Sequence, residues 1–287
     1  MTSTDQPTAA NTFVVVPTYN ERGTIESLLC QLFAVADLSV VVVDDDSPDG
    51  TWELVERLQT SYPHLHLIRR QGVRGRGTAG VEGFRYALEQ DARYILEMDA
   101  DLSHQPRHVP EFLSTIRSCD VVLGSRFVLG GRQTKRSLTR RFITRCASLL
   151  IQRVLKIPIR DCTSGYRCFQ RHVLEGINLD SLLSRGPAIV QEILYKASLK
   201  GYRIQEIPIE FVERTEGQST FNWRVLLDVL IMVFILKYLF SDFRQRVGMM
   251  PTIRRGRTTE AHAEPTVSSV HTAAVSTVNA EHEPQAL

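Results

Sequence analysis

Short runs of β-branched and other apolar residues recur along the first two thirds of the chain. They lie at Thr12 to Val16, Ser39 to Val43, His64 to Ile68, Arg93 to Met98 and Asp120 to Leu123. Runs of this length, bounded by Gly, Pro, Asn and Asp, predict buried strands. Between them the apolar positions shift to helical spacing, at Thr24 to Ala36, Thr51 to Thr60, Gly77 to Gln90 and Pro110 to Arg117. Strand alternating with helix predicts an α/β domain over residues 12–222, its mostly parallel sheet flanked by helices on both faces. In such sheets ligands sit at the carboxyl ends of the strands, so the polar residues just after each strand are the first candidates for chemistry.

The pattern changes on either side of this domain. Residues 1–11 form a polar leader without the basic start and apolar core of a signal peptide. Residues 223–250 contain Val225 to Phe240, a strongly apolar stretch of sixteen residues interrupted by Asp228 and Lys237. Crossing a bilayer takes about 20 apolar residues, so the stretch predicts a helix lying in a membrane interface, with burial in the core as the alternative. Leu226, Leu227, Leu230, Ile231, Phe234, Ile235 and Tyr238 fall close to one helical face. Residues 251–287 carry few large apolar side chains and predict a disordered tail.

Composition narrows the class. A chain of 287 residues, 43% hydrophobic, can bury one substantial core. A net charge of +2 favours no partner, so charge distribution has to decide. The five cysteines are odd in number and show no Cys-x-x-Cys spacing, which argues against a zinc site or disulfide framework and for a reducing cytoplasm.

The ends of the predicted strands are acidic. Asp44, Asp45, Asp46 and Asp49 follow the second, and Asp99 and Asp101 the fourth. Acids gathered at one sheet edge repel one another unless a cation or donor-rich ligand sits among them. Helix capping is the plainer explanation for one Asp, and suits Asp49 before Thr51, but it does not need three in a row. Asp-x-Asp can bring both side chains to one hard cation, Mg²⁺ or Mn²⁺, that also holds a diphosphate. Gly75, Gly77 and Gly80 spell Gly-x-Gly-x-x-Gly, the dinucleotide fingerprint of NAD-type enzymes. That fingerprint needs its first glycine at the strand end, and here Arg69 to Arg74 intervene.

Six basic residues and no acid lie from Arg132 to Arg145, with Leu138, Phe142, Ile143, Cys146, Leu149 and Leu150 at helical spacing among and after them. A basic amphipathic helix near a later apolar one suggests docking on an anionic membrane surface. Nucleic acid is disfavoured, since Phe142 is the one aromatic available there for stacking.

Five motifs occur in order: Pro17-Thr18-Tyr19-Asn20-Glu21, Val43 to Thr51 (VDDDSPDGT), Met98-Asp99-Ala100-Asp101-Leu102, Gly124-Ser125-Arg126, and Asp161 to Arg167 (DCTSGYR). Together, over roughly residues 12–240, the chain resembles the polyprenyl- and dolichyl-phosphate mannose synthases among family-2 glycosyltransferases of GT-A fold. The resemblance implies an inverting transfer of a hexose, mannose from GDP-mannose, onto polyprenyl or dolichyl phosphate at the cytoplasmic membrane face. It implies that Pro17, Tyr19, Glu21, Val43, Asp45, Asp99, Ala100, Asp101 and Arg214 line the nucleotide-sugar site. By the same resemblance Asp99 and Asp101 should hold the metal, with Ser103 standing where some relatives have a third ligand. Arg126, Arg140 and Thr144 match the family's acceptor-phosphate positions and should take that phosphate. Two positions depart from the family pattern: Thr220 stands in place of Lys in Gly-x-Ser-Lys, and Ala188 where several relatives have Lys. They leave open another donor such as UDP-glucose, a non-lipid acceptor, or a membrane-binding scaffold without activity.

Overall fold

The computed structural model describes residues 6–72, 74–135, 137–213 and 223–240, with side chains from 227 onward in the last segment. The expectations for Arg214, Thr220 and residues 241–287 fall outside these. Nine strands and eight α-helices occur among the described residues. The sequence alternates β1 (Thr12–Thr18), α1 (Ile25–Val35), β2 (Ser39–Asp44), α2 (Thr51–Leu58), β3 (Leu65–Arg69), α3 (Arg76–Glu89), β4 (Tyr94–Glu97), α4 (Val109–Thr115) and β5 (Val121–Ser125). After these come β6 (Arg132–Thr134), α5 (Leu138–Leu155), β7 (Arg167–Gln170), α6 (Arg171–Ile177), α7 (Ile189–Leu199), β8 (Ile204–Pro208), β9 (Glu210–Val212) and α8 (Trp223–Leu239).

Seven strands form one sheet in the order β3-β2-β1-β4-β7-β5-β8. All neighbours in it are parallel except β7, which runs antiparallel to both β4 and β5. β6 and β9 form a separate parallel pair. The all-valine centres of β1 and β2 are buried on both faces because successive side chains alternate. Val14, Val16, Val40 and Val42 meet α1, α2 and α4 on one side. Phe13, Val15, Val41 and Val43 meet α3, α6 and α7 on the other. A third apolar cluster joins α5, α7 and α8 through Ile151, Leu155, Leu194, Tyr195, Val229, Val233 and Leu236.

α8 is packed on the domain along one side and exposed along the other. Val229, Val233 and Leu236 are buried against α5 and α7. Leu227, Ile231, Phe234, Ile235 and Tyr238 are exposed, as are Leu138 and Phe142 on the neighbouring α5. No helix of the described residues is long and apolar enough to cross a membrane. All five cysteines are free thiols.

Candidate functional site

The strand-end acids are largely neutralised from within. Asp44 is buried and closes its own turn, accepting from the Ser47 amide at 2.8 Å, the Ser47 hydroxyl at 2.7 Å and the Thr18 hydroxyl at 2.8 Å. Asp45 accepts from Arg70 Nε and from the Gly75 amide, both at 2.7 Å. Asp46 pairs with Arg69 at 2.6 Å. Asp49 accepts from the Thr51 amide at 2.9 Å in the turn that leads into α2, whose N-cap residue is Gly50. The expectation that these consecutive acids need an external cation is therefore corrected: Asp44 is met by Ser47 and Thr18, and Arg69 and Arg70, at and just after the end of β3, meet Asp46 and Asp45.

Pro17 and Val43 are paired in the β1–β2 register and buried. Val43 has no exposed surface and lies in the core against α3, so its side chain does not line an open nucleotide site. Tyr19 is exposed, its ring 4.8 Å from the Arg74 guanidinium and its hydroxyl accepting from Arg74 Nη1 at 2.9 Å. Glu21 is half-buried, anchored by its amide to the Thr51 hydroxyl at 3.0 Å.

The glycine fingerprint has a packing explanation. A Cβ on Gly77 would lie 2.5 Å from the Gly186 carbonyl oxygen, and one on Gly80 2.7 Å from Glu97 Oε1 on β4. These glycines let α3 lie close against the sheet and the loop before α7, rather than exposing backbone to a dinucleotide.

After β4 the chain turns sharply through Leu102, at φ +58°. Left-handed backbone is costly for a branched side chain and persists where surrounding contacts hold it. Here the turn lets the Ser103 amide reach Asp101 Oδ1 at 3.0 Å and His104 Nδ1 accept the Asp99 amide at 3.0 Å. His104 is buried and stacks on Tyr166 at 4.9 Å. Burial pushes its pKa below the ordinary value, outweighing Asp99 and Asp101. An Nδ1 that accepts fixes the neutral, Nε2-protonated ring.

Asp99 meets a cation already in the chain. Arg76 Nε lies 2.7 Å, and Nη2 2.6 Å, from Asp99 Oδ1, while Nη1 is 3.4 Å from Glu97. Burial weighs against the charge on Arg76, but Asp99 and Glu97 more than compensate and raise its pKa. Glu97 in turn faces Arg167 directly across the β4–β7 pair, both almost fully buried.

Arg76 and Asp99 open onto a cavity of about 260 Å³. Arg126, Thr144 and Thr163 supply the rest of its cationic and hydroxyl lining, and Ile143, Ala147, Ile151, Pro187, Val190 and Val229 an apolar wall. Arg126 is held by fully buried Asp161, which accepts from its amide at 3.0 Å and from its Nε and Nη2 at 2.7 Å. Nη2 also donates to Thr163 at 2.6 Å, whereas Nη1 makes none of these bonds. Burial raises the Asp161 pKa, but Arg126 outweighs it and holds the carboxyl below the ordinary value. Arg140 stands apart: it pairs with Glu213 and is not among the cavity-lining residues. Ala100 is buried in the core beneath the site, and Ala188 is buried at the start of α7.

Asp99 and Asp101 offer hard carboxylate oxygens, and the buried Ser103 hydroxyl has no hydrogen-bond partner. No group of three His, Cys, Asp or Glu side chains able to hold a metal occurs among the described residues. The donor set thus fits a dication that keeps most of its shell from water and a phosphate ligand, as Mg²⁺ or Mn²⁺ does.

A model of glycosyl transferase family 2 matches residues 13–177. The undecaprenyl-phosphate mannosyltransferase of Micrococcus luteus is 35% identical over 238 residues, 82% of this chain and 98% of that protein. The polyprenol monophosphomannose synthase of Mycolicibacterium smegmatis is 32% identical over 234 residues, 80% of this chain and 88% of that one. Among solved structures, glucosyl-3-phosphoglycerate synthase from Mycobacterium tuberculosis, in complex with Mn²⁺ and UDP, superposes with a TM-score of 0.53. It is 17% identical and covers 84% of this chain and 81% of its own, a likeness of fold.

Proposed function

Because the chain belongs to glycosyl transferase family 2 and is a hexosyltransferase of GT-A fold, we propose that it moves mannose from GDP-mannose onto a polyprenyl phosphate. The observation that carries this reading is the shared cavity. Asp99 stands in the same space as Arg126 and Thr144, beside an apolar wall built from α5 and α8. These two helices also expose Leu138, Phe142, Ile231 and Phe234, so a phosphate head could enter the cavity while its hydrocarbon lies along them. The relatives named as mannosyltransferases of lipid phosphates support the same donor sugar and acceptor.

A phosphate monoester carries about −1.5 to −2 charge near neutrality, so the acceptor needs no strong base. Arg126, its plane fixed by Asp161, and Thr144 would hold that phosphate. Its oxygen attacks the anomeric carbon from the face opposite the diphosphate. The bond to the diphosphate oxygen breaks with its electron pair, and the configuration inverts. Asp99 and Asp101, with Ser103 nearby, would hold a dication that supplies charge stabilisation to the departing diphosphate. Tyr19, Glu21, Asp45 and Arg214 would surround the nucleotide. Arg140, one turn before Thr144, would meet the acceptor only after leaving Glu213. The exposed faces of α5 and α8 would rest in the cytoplasmic membrane surface without a span.

The test is transfer from radiolabelled GDP-mannose and UDP-glucose to a polyprenyl phosphate. Label from GDP-mannose passing into organic solvent supports the reading. Label from UDP-glucose alone, or product remaining in water, overturns it.

A further inference from the structure

Arg76 has no part in the reaction as drawn above, yet it lines the cavity beside Asp99. Its side chain is 28% exposed. Two of its nitrogens crowd one oxygen, Asp99 Oδ1, at 2.6 and 2.7 Å. A dication such as Mg²⁺ approaches a carboxylate oxygen to about 2.0–2.1 Å, and at Asp99 Oδ1 it would meet the like charge and the crowding of a guanidinium already in place. A second cation would not be welcome there without added negative charge. The third nitrogen, Nη1, leans toward Glu97 at 3.4 Å, so release of Asp99 would not strand Arg76 away from every carboxylate.

We propose that Arg76 holds the place of the dication at Asp99 in the donor-free enzyme and turns onto the donor's diphosphate when dication and nucleotide enter together. This rests on the reading that Asp99 binds a dication. Three consequences follow from the geometry. The enzyme alone binds dication weakly. A nucleoside diphosphate strengthens that binding by supplying the anion that draws Arg76 away. The acids also stay neutralised between turnovers without a resident metal.

Gly165 provides a way to move Arg76 without removing it. A Cβ at Gly165 would lie 2.5 Å from Arg76 Nη2, the mobile end of a long side chain. Gly165→Ala should push the guanidinium off Asp99, and Arg76→Met should delete it. The experiment measures Mn²⁺ binding by electron paramagnetic resonance, with and without GDP or UDP, in the full chain, the two variants and Asp99→Asn. Melting curves show which proteins are folded. Losing a charge-assisted contact corresponds to about ten- to a hundredfold. Donor-free Mn²⁺ affinity should therefore rise at least about tenfold in both variants, while the strengthening by nucleotide shrinks by the same factor. Equal donor-free affinity in wild type and variants, lost in Asp99→Asn, overturns the role of Arg76 and leaves the dication reading standing. If wild type fails to bind Mn²⁺ even with GDP or UDP, both fall together. Should Arg76→Met not fold, Gly165→Ala decides alone, since it keeps every charge.

Discussion

Asp161→Asn should be among the most damaging isosteric changes in this protein, although Asp161 itself does not line the cavity. Its carboxylate is fully buried and accepts three hydrogen bonds from Arg126, whose side chain is only 7% exposed. Removing one partner of a buried pair leaves the other charge uncompensated and costs about 3–5 kcal/mol. For a domain of this size each kcal/mol shifts melting by about 2–4 °C, so the variant should melt roughly 6–20 °C lower. The pH dependence has a definite sign. Burial raises the Asp161 pKa, but Arg126 outweighs it and the folded value lies below the ordinary 3.8. The stabilisation is thus fully present above the unfolded value and is lost as pH falls through the folded one. The difference between wild type and Asp161→Asn should be steady from neutral pH to about 5 and close under strong acid. Urea denaturation at several pH values reads both effects. Replacing the pair together, as Arg126→Met with Asp161→Leu, should recover most of the loss, because buried pairs exchange for apolar residues at little net cost. A single variant within about 1 kcal/mol of wild type, or a double variant as unstable as the single, would refute the reasoning.

Other expectations follow from the same contacts. Asp99→Asn and Asp101→Asn should each abolish transfer while secondary structure by circular dichroism is kept, since an amide is a poor ligand for a hard dication. Thr144→Val should raise KM for the polyprenyl phosphate by about tenfold, the loss of one hydrogen bond to a charged group, and leave KM for the nucleotide sugar unchanged in steady-state assays. Phe234→Glu and Ile235→Glu should reduce co-sedimentation with anionic vesicles at unchanged melting temperature, whereas Val233→Glu, fully buried, should lower melting itself. Gly83→Ala, which in an open helix would gain about 1 kcal/mol, should instead destabilise. Its Cβ would lie 2.3 Å from buried Val15 Cγ1, and overpacking of this kind costs about 1–3 kcal/mol; thermal melts give the sign.

Of the first five strands, β1, β2, β4 and β5 were legible as apolar runs that the sheet buries, while β3, a half-buried edge strand, showed through its apolar alternation; their ends fall within a residue or two of expectation. β7 was not. Its four residues, RCFQ, begin with an arginine, and only pairing with β4 and β5 makes that position tolerable by setting Arg167 opposite Glu97. The partner lies far away in sequence, so no local pattern announces the strand. The Asp-x-Asp turn was visible in sequence, but the cation on Asp99 was hidden inside a glycine-rich stretch resembling another motif. The pairing of acids after β2 could have been found from register, because Asp44 stands opposite Arg69 in parallel strands joined by one helix. His104 gave no signal: its role depends on a left-handed turn at Leu102 that spacing does not reveal.

The antiparallel insertion of β7 also bears on how the chain is made. β4 has one neighbour, β1, that is synthesised before it, and its other neighbour in the sheet is β7. Its second edge therefore waits for roughly 70 further residues, several seconds at about 5–20 residues per second. During that interval Tyr94 to Glu97 present unpaired amides and carbonyls with the buried acid Glu97 still lacking Arg167. An open edge invites pairing with another chain, and a lone charge pointing inward discourages it. The ion pair that later locks the two halves of the sheet is, before β7 arrives, a carboxylate with only the more distant Arg76 beside it, guarding the nascent edge.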